Sequence, residues 1–131
     1  MDIYSDPTPI ATVEEFKKAL FTVRDKGDLN DTYLKLLKSH CRAPSHTMST
    51  EALALAADLK NFRAANMQYG TLARHIAESL HIVLQPTPSG DPHWWRALAI
   101  GKDVATNIDD GRYQWTMRPE LVQALQELKW A

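Results

Sequence analysis

The sequence has very little cysteine, and Cys41 is the only one among its 131 residues. No intramolecular disulfide can form, so a secreted scaffold held together by disulfides is excluded. The chain also lacks any run of about 18 apolar residues, the length that a membrane-spanning helix requires. Residues 1–9 include no basic residue, which does not match the positive start of a signal peptide. From these absences we expect a cytoplasmic protein.

The chain also has no excess of charge of one sign. Its 15 Lys and Arg residues face 16 Asp and Glu residues, which gives a formal net charge of −1. Proteins that coat nucleic acids without selectivity are strongly basic, so this balance argues against that class. The near-neutral net charge does not exclude a local basic face on one side of the protein. The hydrophobic content of 44% is ordinary for a globular domain.

The N-terminal half of the chain is predicted to be helical. Residues 1–11 show no periodic pattern and are interpreted as a loose N-terminal lead-in, followed by a single domain over residues 12–131. Thr12 and Glu15 have the spacing of a capping box, which predicts the start of a first helix. Three further helices are predicted: one capped by Asn30 or Asp31 and stopped by Pro44, one capped by Ser49 or Thr50 and reaching about Ala57, and one over about Phe62 to Leu80.

The C-terminal half changes character after the loop that begins at Pro86. Residues 93–100 are apolar and aromatic, and residues 112–117 alternate between apolar and polar side chains, so both segments are predicted to be strands. The polar stretch between them contains the turn signal Asp110-Gly111, which favours a β-hairpin. Pro119 opens a last helix. The predicted fold class is therefore α+β and mostly helical.

The stretch TEALALAADLKNFRAANMQYGTL, residues 50–72, resembles a helix-turn-helix. Leu53 takes the place of the bulky apolar residue of the first helix, and Ala54 the place of the small residue where the two helices cross. Alanine lets the helices approach closely, and Leu59 fills the corner between them. Asp58 occupies the turn, where the family prefers glycine because the left-handed conformation costs glycine little.

The hairpin that follows the long helix resembles the wing of winged-helix proteins, and the resemblance covers about residues 30–118. It implies a helix-turn-helix core with a C-terminal β-hairpin as the wing and a final helix. It also implies DNA binding, as in a small transcriptional regulator. The segments NFRAANMQYGTLAR and YQWTMRPELVQALQELKW are similar to small uncharacterised bacterial proteins, a similarity that implies no activity.

In this resemblance the helix that begins near Phe62 is the recognition helix. With its buried stripe centred on Tyr69, a rotation of 100° per residue turns five residues outward: Arg63, Met67, Gly70, Thr71 and Arg74. Arginine can bond guanine through two hydrogen bonds, and a glycine lets the backbone come near a phosphate. The predicted DNA-binding residues are Lys60, Asn61, Arg63, Asn66, Gln68, Thr71 and Arg74 in and before this helix, with Lys102 and Arg112 in the hairpin.

An alternative function is a protein-interaction module, such as an adaptor, an inhibitor or a self-associating domain, on the same scaffold. Glu78 on the helix face and three acids of the hairpin tip, Asp103, Asp109 and Asp110, would repel a phosphate backbone. Trp94 and Trp95 are adjacent in a predicted strand and would therefore point to opposite faces. One would enter the core and the other would be a candidate interface anchor. This alternative predicts a protein partner or a homodimer.

No group of residues in the sequence has the spacing of a catalytic or metal site. His40, Cys41 and His46 are close in sequence, but adjacent helical residues do not face each other, and no pair has a zinc spacing. Cys41 on an apolar helix face is interpreted as core. We therefore expect no enzymatic activity, no metal and no cofactor, with double-stranded DNA or a protein as the partner.

Overall fold

The computed structural model describes residues 6–86, 90, 92–101 and 113–131. Within these residues the fold is α+β and mostly helical, as the sequence predicts, with a small antiparallel sheet. The elements run along the chain in the order α1 (Val13–Asp25), α2 (Asp31–Arg42), β1 (Thr47–Ser49), α3 (Thr50–Ala56), α4 (Phe62–Leu80), β2 (Ala99–Gly101), β3 (Gln114–Met117) and α5 (Pro119–Glu127).

Side-chain caps fix where the first four helices begin. The Thr12 hydroxyl accepts from the Glu15 N–H at 3.1 Å, and the Glu15 carboxylate accepts from the Thr12 N–H at 2.9 Å, so the predicted capping box is confirmed. Asn30 rather than Asp31 caps α2, and Ser49 rather than Thr50 caps α3. Each cap satisfies a backbone donor that the first helical turn leaves without a partner.

The sheet joins a strand that precedes the helix pair to the two strands that follow it. β3 lies between β1 and β2 and is antiparallel to both, with Met48 opposite Trp115 and Ile100 opposite Thr116. The hairpin pairing of β2 with β3 is thus confirmed, and β1 extends it into a three-stranded sheet. The predicted tip, with Lys102, Asp103, Asp109, Asp110 and Arg112, lies outside the described residues.

The prediction of a strand at Trp94 and Trp95 is wrong. Residues Trp94–Ala97 form a short 3₁₀ helix, and the strand begins only at Ala99. The Arg96 N–H donates to the His93 carbonyl at 3.1 Å, so local hydrogen bonds satisfy the backbone here. In this turn the Trp95 ring stacks on the Trp115 ring, with 5.4 Å between the ring centroids. This packing outweighs the strand preference of tryptophan, which depends on context.

One hydrophobic core joins the helices to the sheet. The predicted stripe of α4 is buried at Ala65, Tyr69, Leu72 and Ile76. The helix packs against α1, α2, α3 and the 3₁₀ helix, and the Tyr69 ring contacts Trp115 of β3. Leu80, which ends the predicted stripe, is only partly buried. The burial of this stripe fixes the rotation of α4, and therefore determines which of its side chains face outward.

The last residues of the N-terminal lead-in pack against the domain. Ala11 is part of the core, and the buried Arg118 donates through Nη1 to the Thr8 carbonyl at 3.1 Å and through Nε to the Arg96 carbonyl at 2.9 Å. Burial lowers the pKa of the Arg118 guanidinium, but two charge-assisted hydrogen bonds compensate part of its desolvation. Arg118 thereby connects the lead-in to the segment before β2.

Candidate nucleic-acid interface

The turn between α3 and α4 is closed by an aspartate in the left-handed conformation. Asp58 has φ of 57°, and the next residue, Leu59, donates its N–H to the Ala54 carbonyl at 2.8 Å. Leu59 is partly buried and packs against the core. The Asp58 carboxylate lies 3.1 Å from Lys35 Nζ of α2. The turn geometry therefore forms without the glycine that the family prefers.

We expect Asp58→Gly to be more stable than Asp58→Ala by about 1 kcal/mol, because only glycine adopts a positive φ without steric cost. Both variants lose the same ion pair with Lys35, so their difference isolates the conformational cost. Urea unfolding of the two variants measures it. An alanine variant as stable as the glycine variant would contradict the role assigned to this backbone conformation.

The outer face of α4 carries the predicted residues. Arg63, Met67, Thr71 and Arg74 are all exposed, with Met67 at 66%, which confirms the outward rotation of this face. Gly70 lies between them, and a Cβ added there would meet nothing within 4 Å. The face therefore has a shallow notch near its middle, where another backbone can come close.

The N-terminal end of this face is positively charged. Lys60 and Arg63 are exposed, and among the described residues neither has a carboxylate within ion-pair distance. The Arg63 guanidinium lies over the Phe62 ring, 5.5 Å from its centroid. Asn61 is exposed but uses its side-chain oxygen to cap α4 at the Ala64 N–H. The helix dipole adds partial positive charge at this end.

The C-terminal end of the face is more constrained. The Arg74 guanidinium lies over Trp94, 5.2 Å from the ring centroid, and its Nε is 3.6 Å from the Glu78 carboxylate. The Thr71 hydroxyl donates to the Met67 carbonyl at 3.0 Å. Arg74 is therefore already paired with a ring and an acid, whereas Arg63 contacts a ring and has no ion-pair partner among the described residues.

The other predicted residues are less accessible. Asn66 and Gln68 are half-buried, and the Asn66 side-chain oxygen is shielded from solvent and has no hydrogen-bond partner in the described part of the chain. Of the two candidate interface anchors, Trp95 is only 6% exposed and belongs to the core, while Trp94 is half-buried beneath Arg74. The structure thus brings Lys60, Arg63, Met67 and Gly70 together at one accessible surface.

Leu55 is a residue of this region that the sequence interpretation missed. It is 76% exposed on α3 and lines a groove with Leu59 and Phe62, between Glu51 and Lys60. Leu55 lies two residues after the buried Leu53, and this spacing places it away from the core face of α3. The exposure of Leu55 could therefore have been predicted from the sequence. A large exposed leucine beside the helix pair adds an apolar contact to a surface that is otherwise polar.

Metal ligands and the single cysteine are the other groups of the chain that could carry chemistry. No group of three or more His, Cys, Asp and Glu side chains there is placed to hold a metal ion. Cys41 is buried, and burial raises the pKa of its thiol, which disfavours the reactive thiolate. None of the helices in the described part of the chain combines the length and apolar character needed to cross a bilayer.

Comparison of the chain with protein-family models, with curated proteins and with solved structures finds no match to any of them. The functional conclusion therefore depends on the physical properties of the α3–α4 surface.

Proposed function

We propose that this chain is a small winged-helix-like DNA-binding protein that inserts the N-terminal half of α4 into a groove of the duplex. The observation that carries the proposal is the exposed N-terminal end of α4, where Lys60 just before the helix and Arg63 in its first turn lack carboxylate partners among the described residues. In helix-turn-helix proteins the N-terminal residues of the second helix contact base edges. Lys60 and Arg63, two of the cations without an ion-pair partner among the described residues, lie at that end.

The chemistry of this face suits a groove. Arg63 offers donors for a guanine edge, and Met67 offers an apolar contact for a thymine methyl group. Lys60 precedes the helix and is suited to a phosphate, which adds affinity without sequence preference. The formal net charge of −1 means that the attraction comes from this local cluster rather than from the whole chain.

Arg63→Ala should weaken duplex binding by about tenfold or more, the effect of losing a good arginine–base contact. Arg74→Ala should cost only about two- to threefold, because Arg74 is paired with Glu78 and covers Trp94. Anisotropy of a fluorescein-labelled duplex measures both effects. The double variant should also lower the salt dependence of binding.

The matched control is Arg42→Ala, which removes an exposed arginine at the end of α2 with the same change in net charge. We expect its affinity to stay near that of the wild-type protein. Equal losses for Arg63→Ala and Arg42→Ala would mean that only overall charge matters and that α4 is not the reading helix.

Gly70→Ala should make the protein more stable and yet weaken its binding to the duplex. A Cβ at this helical position meets nothing within 4 Å, so the gain in helix propensity of about 1 kcal/mol is realised in full. The added methyl group fills the notch that the DNA backbone would approach. Urea unfolding and duplex anisotropy on the same sample measure the two effects. A more stable variant with unchanged affinity for the duplex would mean that Gly70 is not part of the DNA-contact surface.

A second candidate function is a protein-interaction module on the same scaffold. The observation that favours it is the exposure of two large apolar side chains, Leu55 at 76% and Met67 at 66%, on the helix pair. Exposed apolar surface on a helix pair is a feature of protein interfaces. If the chain forms a dimer that Leu55→Asp dissociates, and if no duplex binds, this second function replaces the first.

A further inference from the structure

A groove lies on another surface, between the C-terminal end of α1, the first two turns of α2 and the C-terminal residues of the chain. Its volume is about 540 Å³. Its apolar floor consists of Leu29, Leu34 and Trp130, and Leu34 is 37% exposed. None of the residues of this groove belongs to α3 or α4.

The floor of the groove is held in place before any partner binds. The Trp130 ring stands edge-on to the Phe21 ring of α1, with 5.9 Å between centroids. The backbone N–H of Trp130 donates to the Leu125 carbonyl at 2.9 Å, which fixes the backbone beyond α5. A preformed apolar surface spares a partner the entropic cost of ordering it.

The rim of the groove is mainly basic. Arg24, Lys35 and Lys38 border the groove against a single acid, Asp31. Arg24 and Lys35 are exposed ion-pair partners of other acids, which screens them in part. Lys38 has no carboxylate within ion-pair distance among the described residues, so its charge is available to a partner.

This charge pattern selects among the possible occupants. A second copy of the same groove would bring its own basic rim against this one, and like charges across an interface are unfavourable. A partner with carboxylates around an apolar stripe complements both the floor and the rim. From Asp31 to Lys38 the rim follows α2 for about 10 Å, or two helical turns, the length over which an amphipathic helix presents its anchors.

We infer that this groove binds an acidic amphipathic helical segment of a partner protein, with apolar side chains on Leu34 and Trp130 and carboxylates facing Lys35 and Lys38. This site is separate from the α4 face and does not depend on DNA binding.

Two labelled peptides of about 14 residues test the inference by fluorescence anisotropy. Both carry leucines at i, i+3, i+4 and i+7 spacing, the first with glutamates on the flanks of this stripe and the second with lysines. The acidic peptide should bind the wild-type protein about tenfold more tightly than the basic one. Leu34→Asp should weaken acidic-peptide binding by about tenfold, and Lys38→Glu by about fivefold.

Lys18→Glu is the matched control, because it makes the same charge change on α1 outside the groove. It should leave acidic-peptide affinity unchanged, and so should Arg63→Ala on the α4 face. Circular dichroism of each variant establishes that it is folded. Absence of binding by either peptide, equal binding of both, or equal effects of Lys38→Glu and Lys18→Glu would overturn the inference. Displacement of the peptide by an oligo-dT strand would assign the groove to single-stranded nucleic acid instead.

Discussion

Lowering the pH from about 7.5 to about 5 should reduce the free energy of unfolding by about 2 kcal/mol, because a buried histidine stays neutral in the folded protein. That histidine is His40, which is 0% exposed. Its Nε2 lies 2.8 Å from the Trp115 carbonyl oxygen, and its Nδ1 lies 2.8 Å from the Tyr69 hydroxyl. Because a carbonyl can only accept, Nε2 carries the proton and Nδ1 accepts from Tyr69.

Burial of this ring has a definite consequence for its protonation. Desolvation lowers the pKa of His40 from 6.5 to about 4, and burial raises the pKa of Tyr69, which keeps its hydroxyl protonated as a donor. The unfolded chain therefore takes up a proton below pH 6.5, while the folded protein does not until about pH 4. Stability is lost as the pH falls through that window and is fully present above it.

Urea unfolding at both pH values measures the change in the free energy of unfolding. At the lower pH most carboxylates are still ionised, so they contribute little to the difference. Burial also lowers the pKa of His93, which adds a smaller effect of the same sign. His40→Gln should show much less pH dependence, whereas His81→Asn at an exposed position should behave as the wild-type protein does. Titration of the His40 ring by NMR is an independent check. A ring that titrates at or above 6.5 would contradict the burial argument.

Gly101→Ala should destabilise the protein by about 3 kcal/mol, at the upper end of the range for overpacking a core. Gly101 lies opposite Trp115 in the β2–β3 pair. A Cβ there would overlap the Tyr113 side chain and lie 2.6 Å from Cη2 of Trp95. Both rings are buried and Trp95 stacks on Trp115, so a retreat of either ring would disturb the packed aromatic cluster.

Gly70→Ala is the matched control, because it makes the same chemical change where the added methyl group meets nothing within 4 Å. The two substitutions should therefore shift the urea midpoint in opposite directions. Adding Tyr113→Leu to Gly101→Ala should cost less than the sum of the two single changes, because it frees space at the clash. An unchanged midpoint for Gly101→Ala would show that the aromatic cluster repacks freely.

The sequence predicts the helices well because local signals determine their starts. Thr12, Asn30, Ser49 and Asn61 each cap a helix through a bond to a residue three positions later. The outward face of α4 could also be predicted, since a helix rotates by a fixed angle for each residue.

Contacts between residues distant in sequence could not be predicted from the sequence pattern. The position of Trp94 over Arg74 depends on a 3₁₀ helix that forms 14 residues after the end of α4. Nothing in the local pattern distinguished that turn from a strand, because aromatic residues favour both a strand and a packed cluster. The reduced availability of Arg74 relative to Arg63 followed only from this contact and from the pair with Glu78.

The measurement that tests the central proposal most directly is the anisotropy of a labelled random-sequence duplex at low and moderate salt, with sedimentation of the same sample. The proposal predicts binding at low salt that weakens steeply as salt is added, and a salt dependence that is smaller for Lys60→Ala, which removes a phosphate contact. No binding at low salt, together with a dimer or a larger species in sedimentation, would contradict it and favour the protein-interaction function.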